Sequence, residues 1–204
     1  MSIVTYNDRS IANISAVPGA ATSLTLIKTL TASSDSTLSF VNGSSDVVLD
    51  STYPIYIFKI INMHPSANAN LRFQASTDGG SSYSTTTTST IFRALHDEAG
   101  NNTGLAYDGG QSQGTSVQEI INAAVGTDND QTGVCELKLF DPSSTTFVKH
   151  YLAVSNGYQS NDYNINSFTS GYFNTTSAIN AIQFSPSSGN IDSCTIKLYG
   201  IKDS

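Results

Sequence analysis

Pro54-Ile-Tyr-Ile-Phe-Lys-Ile-Ile-Asn-Met63 is the stretch around which the chain is organised. Apolar residues occupy both sets of alternating positions after Pro54, so both faces of an extended segment are apolar. Branched and aromatic side chains fit a pleated surface, and proline is tolerated only at the first residue of a strand or at an edge. The stretch therefore predicts a long strand, buried on both faces, at the centre of a two-layer β structure.

Further segments with alternating apolar residues are separated by turns rich in Gly, Asn and Ser. They span residues 24–30, 37–41, 71–75, 133–140, 147–154, 168–173, 178–184 and 194–201. The first two predict a hairpin. Regularly spaced strands without alternating helices favour antiparallel sheets packed face to face. We therefore predict an all-β fold, an antiparallel, jelly-roll-like β-sandwich that forms a single domain over residues 24–204. Another sandwich topology is the alternative.

One segment, Ser116–Val125, carries a helical pattern. Ser116 is a candidate N-cap with Glu119 three residues later, apolar residues fall on one helical face, and Gly126 follows as a stop. This predicts one short helix that closes an end of the sandwich. Before it, residues 96–115 are rich in Gly, Asn, Asp and Gln and predict a long surface loop, and residues 85–92 predict an edge strand.

The segment Ser76-Thr-Asp-Gly-Gly-Ser-Ser-Tyr83 has the spacing S-x-D-x-G-x-x-aromatic. It resembles the Asp-box hairpin turn of sialidase-type propellers, but a propeller repeats such a turn in successive blades and this chain has one copy. We predict a structural turn in which Asp78 accepts backbone N–H bonds and Tyr83 packs over the glycines.

Residues 1–23 predict an extended N-terminal arm, because they are polar and irregular and contain the breaker Val17-Pro-Gly-Ala20. A frayed terminus is the default for such a segment. The arm nevertheless carries more apolar side chains than a disordered tail usually tolerates, so we expect it to dock on the same domain or on a neighbour. The candidate docking residues are Ile3, Val4, Tyr6, Arg9, Ile11 and Ile14.

The composition excludes some partners. Charged residues make up 12% of the chain, the net charge is -7, and the nine basic residues are dispersed. A nucleic-acid binder needs clustered Lys and Arg, so we expect no nucleic-acid partner. The first nine residues lack the pattern of a secretory signal, and no apolar run is long enough to span a bilayer, so we expect no membrane insertion.

Candidate catalytic and metal-binding patterns are weak. His64, His96 and His150 lack the spacing of a zinc site, and no G-x-S-x-G motif accompanies His96-Asp-Glu98. Asp128-Asn-Asp130 lacks the full calcium loop and reads as a solvated acidic turn. We expect no enzyme activity, no metal and no cofactor.

Two small sets of residues leave alternatives open. Cys135 and Cys194 lie in predicted strands and are expected to be reduced, half-buried thiols, with a disulfide only if those strands are neighbours. Tyr158, Tyr163 and Tyr172 lie among Asn, Ser and Gly. Such aromatic side chains are typical of sugar-binding faces and equally of protein interfaces.

Several segments of the sequence resemble structural proteins of marine tailed bacteriophages, such as cyanophages and pelagiphages. The resemblance runs from about residue 53 to the C-terminus and rests on Tyr56–Pro65, Phe140–His150, Ser155-Asn-Gly157, Gly171–Ile179, Gly189-Asn-Ile-Asp192 and Thr195–Ile201. It implies a non-enzymatic virion component, either a capsid decoration protein or a fibre-type subunit of the neck or tail, assembled in the host bacterial cytoplasm.

The resemblance also implies partners. We expect contacts with other virion proteins, docking through the N-terminal arm, and a homo-oligomer, with a trimer favoured because viral jelly rolls often cluster in threes. The alternative function is a carbohydrate-binding module that adheres to host surface glycans. The feature that discriminates them is whether Tyr158, Tyr163 or Tyr172 lines an exposed shallow groove.

Overall fold

A computed structural model describes residues 24–202, and every regular element in that range is a β-strand. The predicted docking arm and its six candidate residues lie outside the described part of the chain. The strands are β1 Leu24–Asp35, β2 Leu38–Val41, β3 Ile55–Pro65, β4 Ala69–Ser76, β5 Thr87–Asp97, β6 Thr103–Gly109, β7 Gln118–Val125, β8 Gly133–Phe140, β9 Lys149–Gln159, β10 Tyr163–Phe173, β11 Ala181–Pro186 and β12 Ile191–Ile201.

All strand pairs are antiparallel, which confirms the all-β, antiparallel prediction. One path of paired strands runs β1-β12-β3-β8-β9-β10-β5-β6, and a second runs β7-β4-β11-β2. The two paths are joined where Val125 of β7 pairs with Gln159 of β9. The resulting sheet curls over itself and is nearly barrel-shaped. Within residues 24–202, no helix has the length and apolar character needed to cross a membrane.

The core lies between the two paths and is rich in aromatic rings. Phe58 of β3 makes edge contacts with Phe40 of β2 and Phe184 of β11, with ring centroids 5.3 and 5.4 Å apart. Phe73 of β4 meets Tyr151 of β9 in the same way at 5.0 Å. All five side chains are fully buried. Each such burial contributes about 1.5–3 kcal/mol, so these contacts are what hold the second path over the first.

The organising stretch forms β3, which lies inside the sheet between β12 and β8. Its inward row, which includes Tyr56 and Phe58, is fully buried. The prediction that both faces are buried is only partly right. On the outward side Ile57 is buried, but Ile61 is 38% exposed and Lys59 forms an ion pair with Glu136. No second layer of described residues covers this side of the sheet.

The predicted helix is wrong, because residues 118–125 form strand β7. The four-residue step from Ile121 to Val125 lies opposite the two-residue step from Leu71 to Ala69 on β4, so β7 carries extra residues. Ala124 has a φ of 45°, outside the usual strand region, and its N–H donates to Asn70 Oδ1 at 2.6 Å. The helical spacing arises at a second register shift, opposite Leu71 and Arg72, where Ile120 is an extra residue. Ile120 and Ile121 are both buried, which breaks the two-residue alternation.

Three further local predictions are wrong. The segments 24–30 and 37–41 do not form a hairpin, because β1 pairs with β12 and β2 pairs with β11. The segment 85–92 is not an edge strand, because β5 lies between β10 and β6. The predicted loop 96–115 contains β6. β1, β2 and β5 each pair with a strand that is distant in sequence, and a local pattern does not show such a partner. β6 was not predicted because its apolar and polar residues alternate only weakly.

Candidate interaction face

Four apolar side chains form a row across the outer side of the sheet. In the strand register Tyr107 of β6 lies opposite Phe92 of β5, Phe92 opposite Phe168 of β10, and Phe168 opposite Val154 of β9. We call these four residues the aromatic row. Their exposed fractions are 72%, 44%, 37% and 47% in that order. The Phe92 and Phe168 rings stack, with centroids 4.8 Å apart and planes 11° from parallel.

Three more exposed apolar side chains, Leu105, Leu152 and Val134, flank the row on the same side of the sheet. With the aromatic row they make up the outer apolar face. Single exposed apolar side chains are ordinary, but contiguous exposed apolar patches mark interaction sites in proteins. The nearest charges belong to Glu136 and Lys138 of β8, which form an ion pair at 3.2 Å. The face therefore favours an uncharged, apolar partner surface.

A groove of about 550 Å³ opens at one end of this face, between β8, β9, β10 and β5. His150 and Tyr172 form one part of its lining, with ring centroids 5.7 Å apart, and Phe140 and Leu152 form another. Thr90 and Ser170 add hydroxyl groups, whereas the Thr88 hydroxyl oxygen is buried and the Ser89 hydroxyl donates to Gln118 and accepts from the Gln111 N–H. The lining of the groove is thus mainly apolar and aromatic, with few polar groups.

The structure separates the three candidate tyrosines. Tyr172 lines the groove, whereas Tyr163 lies nine residues away along β10, about 30 Å at the rise of a strand, and packs against the core. Tyr158 lies at the end of β9, with its hydroxyl 3.3 Å from the Asp162 carboxylate. The neighbouring Glu98 and Asp162 carboxylates raise the pKa of Tyr158 to about 12. These residues do not form one sugar-binding surface.

The turn at Ser76–Tyr83 has the predicted arrangement. Asp78 Oδ1 accepts hydrogen bonds from the Ser76 hydroxyl at 2.6 Å and the Ser82 N–H at 2.9 Å, and Oδ2 accepts one from the Ser82 hydroxyl at 2.7 Å. These bonds hold the pKa of Asp78 at about 2. Asn180 fixes the turn to the start of β11 by accepting from the Gly79 N–H and donating to Thr77. Both oxygens of the Asp78 carboxylate therefore accept hydrogen bonds from within the turn.

The histidines occupy separate strands and local contacts. His64 Nδ1 lies 2.8 Å from the Gln131 carbonyl, and His96 Nδ1 lies 2.7 Å from the Asp97 carbonyl. The Asp97 carboxylate accepts bonds from the N–H groups of Asn101 and Asn102 within the β5–β6 turn. Among residues 24–202, no three His, Cys, Asp or Glu side chains come together as a metal-binding group.

Cys135 and Cys194 are free, and both are buried instead of half-buried as predicted. Cys135 lies on β8 and Cys194 on β12, and β3 lies between those two strands. The two cysteine-bearing strands are therefore not neighbours, which removes the condition on which a disulfide depended. Burial raises the pKa of both thiols, that of Cys194 to about 12.

No family model, curated protein or solved structure matches this chain. The candidate site consequently rests on the geometry of the chain itself. Sequence reasoning missed the aromatic row, because its members come from four segments that only the pairing β6-β5-β10-β9 brings side by side. The sequence signal that could have found the row is the alternation of Phe168 with Ser167 and Thr169. Here the usual pattern is inverted, since the small polar residues are buried and the large apolar residue is exposed.

Proposed function

We propose that the chain is a non-enzymatic virion structural protein of a tailed phage, a capsid decoration or neck or tail fibre-type subunit. It docks on other virion proteins through the outer apolar face. The observation that carries the proposal is the aromatic row, in which the exposed Phe92 and Phe168 stack at the middle of an apolar strip. Interface cores are enriched in aromatic side chains and depleted of charge, and this strip has both properties.

We further propose that the fold is a jelly-roll sandwich, an architecture found in viral capsid domains. Four antiparallel pairs support this assignment, namely β1 with β12, β2 with β11, β3 with β8 and β4 with β7. They are nested along the chain, as in one long hairpin wrapped into two sheets. The pairs β5–β6 and β9–β10 are then additions, and they carry most of the outer apolar face.

Incorporation into particles tests the virion role. A phage lacking this gene is complemented with the tagged full chain, and the copies per purified particle are quantified. The variant Phe92→Asp with Phe168→Asp is expected to lose incorporation about tenfold or more, since central aromatic residues dominate interface energies. Phe147→Asp is the matched control, because Phe147 is 70% exposed but lies outside the face.

Two outcomes contradict the proposal. Particles that contain no copy of the unaltered chain rule out a virion role. A folded double variant, with unchanged circular dichroism, that enters particles at the normal copy number leaves the virion role standing but removes the outer apolar face as the docking surface.

Glycan adhesion is the second candidate function, favoured by the groove that Tyr172 and His150 line together. An aromatic ring beside the Thr90 and Ser170 hydroxyl groups suits a sugar ring, which has an apolar face and a polar rim. Titration calorimetry with host surface polysaccharide tests it. Tyr172→Ala is expected to abolish the binding, and Tyr158→Ala, outside the groove, is expected to leave it unchanged. A polysaccharide that releases no heat with the unaltered chain, or binds Tyr172→Ala equally well, contradicts this candidate.

A further inference from the structure

We propose that strand β6 is a dimerisation edge, at which two copies of this chain pair their β6 strands antiparallel about a two-fold axis through Leu105. This contact is separate from docking on a particle and does not depend on the proposed virion function. It joins two copies of the eight-strand path into one continuous sheet.

The free strand edges of the described chain differ in how well they are protected. β1 has a bulge between Leu26 and Lys28 and carries the Lys28 charge, and β2 is four residues long. The outer edge of β7 is capped by β10, since the Thr169 hydroxyl donates to the Glu119 carbonyl. Bulges, lysines and short length are the devices by which proteins prevent edge pairing.

β6 has none of these protections over Thr103–Tyr107, and its one register shift lies beyond this stretch, at Asp108. The strand is seven residues long and contains no Lys, Arg or Pro. Its single charged residue, Asp108, is already paired with Arg93 of β5 at 2.8 Å and accepts a hydrogen bond from Asn122 of β7. A chain with a net charge of -7 thus presents an edge on which two copies meet without like-charge repulsion.

The backbone of β6 shows which groups face outward. The Asp97 N–H donates to the Asn102 carbonyl at 3.1 Å, so these two residues form a hydrogen-bonded pair at the end of the β5–β6 hairpin. Hydrogen-bonded and non-hydrogen-bonded pairs alternate along an antiparallel ladder. The register then makes Thr103, Leu105 and Tyr107 the non-hydrogen-bonded members of the β5–β6 pair. Their N–H and C=O groups point away from β5, toward the free edge.

A two-fold axis through Leu105 matches all of these outward groups. Leu105 lies opposite Leu105 of the second copy, and Thr103 lies opposite Tyr107 of the second copy on each side of the axis. Each of the three pairs exchanges two hydrogen bonds. An antiparallel pairing of identical strands is isologous and closed, so it yields a dimer instead of a growing fibre.

The exposed side chains of β6 also suit pairing with a second copy of the chain. Leu105 and Tyr107 are the two most exposed large apolar residues of the described chain, at 77% and 72%. In the dimer the Leu105 side chains contact each other, and Tyr107 of each copy lies opposite Thr103 of the other, so the two aromatic rows are offset by about 13 Å along the strand. The contact is small for a protein interface, so we expect a dissociation constant of about 1 μM or weaker and a reversible monomer–dimer equilibrium.

Sedimentation equilibrium of the full chain over a range of concentrations tests the proposal. The unaltered protein is expected to approach twice the 21.6 kDa mass of one chain as concentration rises. Leu105→Pro removes an outward N–H without touching the bonds to β5, and Leu105→Lys places two charges against each other on the axis. Both variants are expected to weaken the dimer at least tenfold. Leu26→Lys, which makes the same change on β1, is the control.

A second measurement checks the register with a short thiol-to-thiol cross-linker. Leu105→Cys is expected to cross-link to a second copy of itself, and a mixture of Thr103→Cys with Tyr107→Cys is expected to cross-link as well. Thr103→Cys alone is not, because its two copies lie about 13 Å apart along the strand. Cys135 and Cys194 are buried and do not interfere.

Several results would overturn the proposal. A protein that stays monomeric to high concentration, or that forms a trimer, has no two-fold β6 contact. A dimer that persists in both folded Leu105 variants places the interface elsewhere. Cross-linking of Thr103→Cys alone at the rate of Leu105→Cys shows that the strands do not pair about Leu105.

Discussion

At the scale of single residues, Asp78 makes the stability of the fold depend on acid pH. Its pKa of about 2 lies below its ordinary value of 3.8, because three hydrogen bonds favour the carboxylate. A lowered pKa stabilises the folded protein above about pH 4, and this stabilisation is lost as the pH falls toward 2. Asp78→Asn is therefore expected to lower the melting temperature at pH 7 and to differ little from the unaltered protein near pH 2.

Thermal melts between pH 2 and pH 7 measure this difference. Asp130→Asn, which makes the same substitution in the exposed turn after β7, is the matched control. A melting-temperature difference for Asp78→Asn that stays constant over the whole range would show that the turn does not stabilise the ionised form.

Gly157 fixes how closely β9 approaches β7. A Cβ at this position would lie 2.5 Å from the Ala123 Cβ and 3.3 Å from Ile121. Overpacking of this kind costs about 1–3 kcal/mol, so Gly157→Ala is expected to lower the free energy of unfolding by that amount in a urea titration. Gly104→Ala is the control, because its Cβ would meet Leu95 at 3.5 Å, an ordinary contact. Equal stability of the two variants would contradict close packing at the β7–β9 junction.

At the scale of elements, the Asp108 carboxylate of β6 holds the β5–β6 hairpin together through Arg93 of β5 and links the hairpin to β7 through Asn122. Asp108 Oδ2 lies 2.8 Å from Arg93 Nε and also accepts from Asn122 of β7, and both charged side chains are largely shielded from water. Asp108→Ala leaves Arg93 without its partner in a partly buried site. We expect a loss of about 1–2 kcal/mol and faster amide exchange across Thr87–Gly109.

Glu136→Ala provides the comparison, because the Lys59–Glu136 pair is 44% and 38% exposed. Surface pairs of this kind contribute about 0–1 kcal/mol, and exchange in the hairpin is expected to stay unchanged. If Asp108→Ala and Glu136→Ala had the same effect on stability and exchange, the Asp108 carboxylate would not stabilise the hairpin.

Sequence predicts the elements of this chain better than their irregularities. Alternation of apolar and polar residues located β4, β8 and β12, whereas a continuous apolar run located β3. The alternation rule failed at β7, where the extra residue Ile120 leaves Ile120 and Ile121 both buried and so breaks the period of two. β6 was missed because its apolar residues, Leu105 and Tyr107, point to solvent instead of the core.

At the scale of the whole molecule, the outer apolar face depends on pairings between distant segments. The nested pairs β1–β12 and β2–β11 join the two ends of the described chain. β10 pairs with both β5 and β9 and so places those two strands on either side of it. No local pattern encodes these pairings, because they depend on how the buried side chains of distant strands pack together in one aromatic core. Sequence therefore predicts an all-β, charge-poor surface, and only the fold shows which exposed aromatic residues share it.

The two thiols report whether this sheet unfolds as one unit. Cys135 and Cys194 lie on the strands that flank β3, both are buried, and burial raises the pKa of both thiols. Thiolate is the reactive form, so neither residue is expected to react with an alkylating reagent in the native protein. Both are expected to become labelled together across the urea transition, because the inner rows of β8 and β12 belong to one core.

Pulsed alkylation followed by mass spectrometry measures the labelled fraction of each cysteine at each urea concentration. Leu26→Cys on the exposed part of β1 is the control and is expected to react at once without urea. If Cys194 became labelled well before Cys135, the β1–β12 edge would open while the centre of the sheet stayed folded. The described chain would then contain two cooperative units, and β3 would mark the boundary between them.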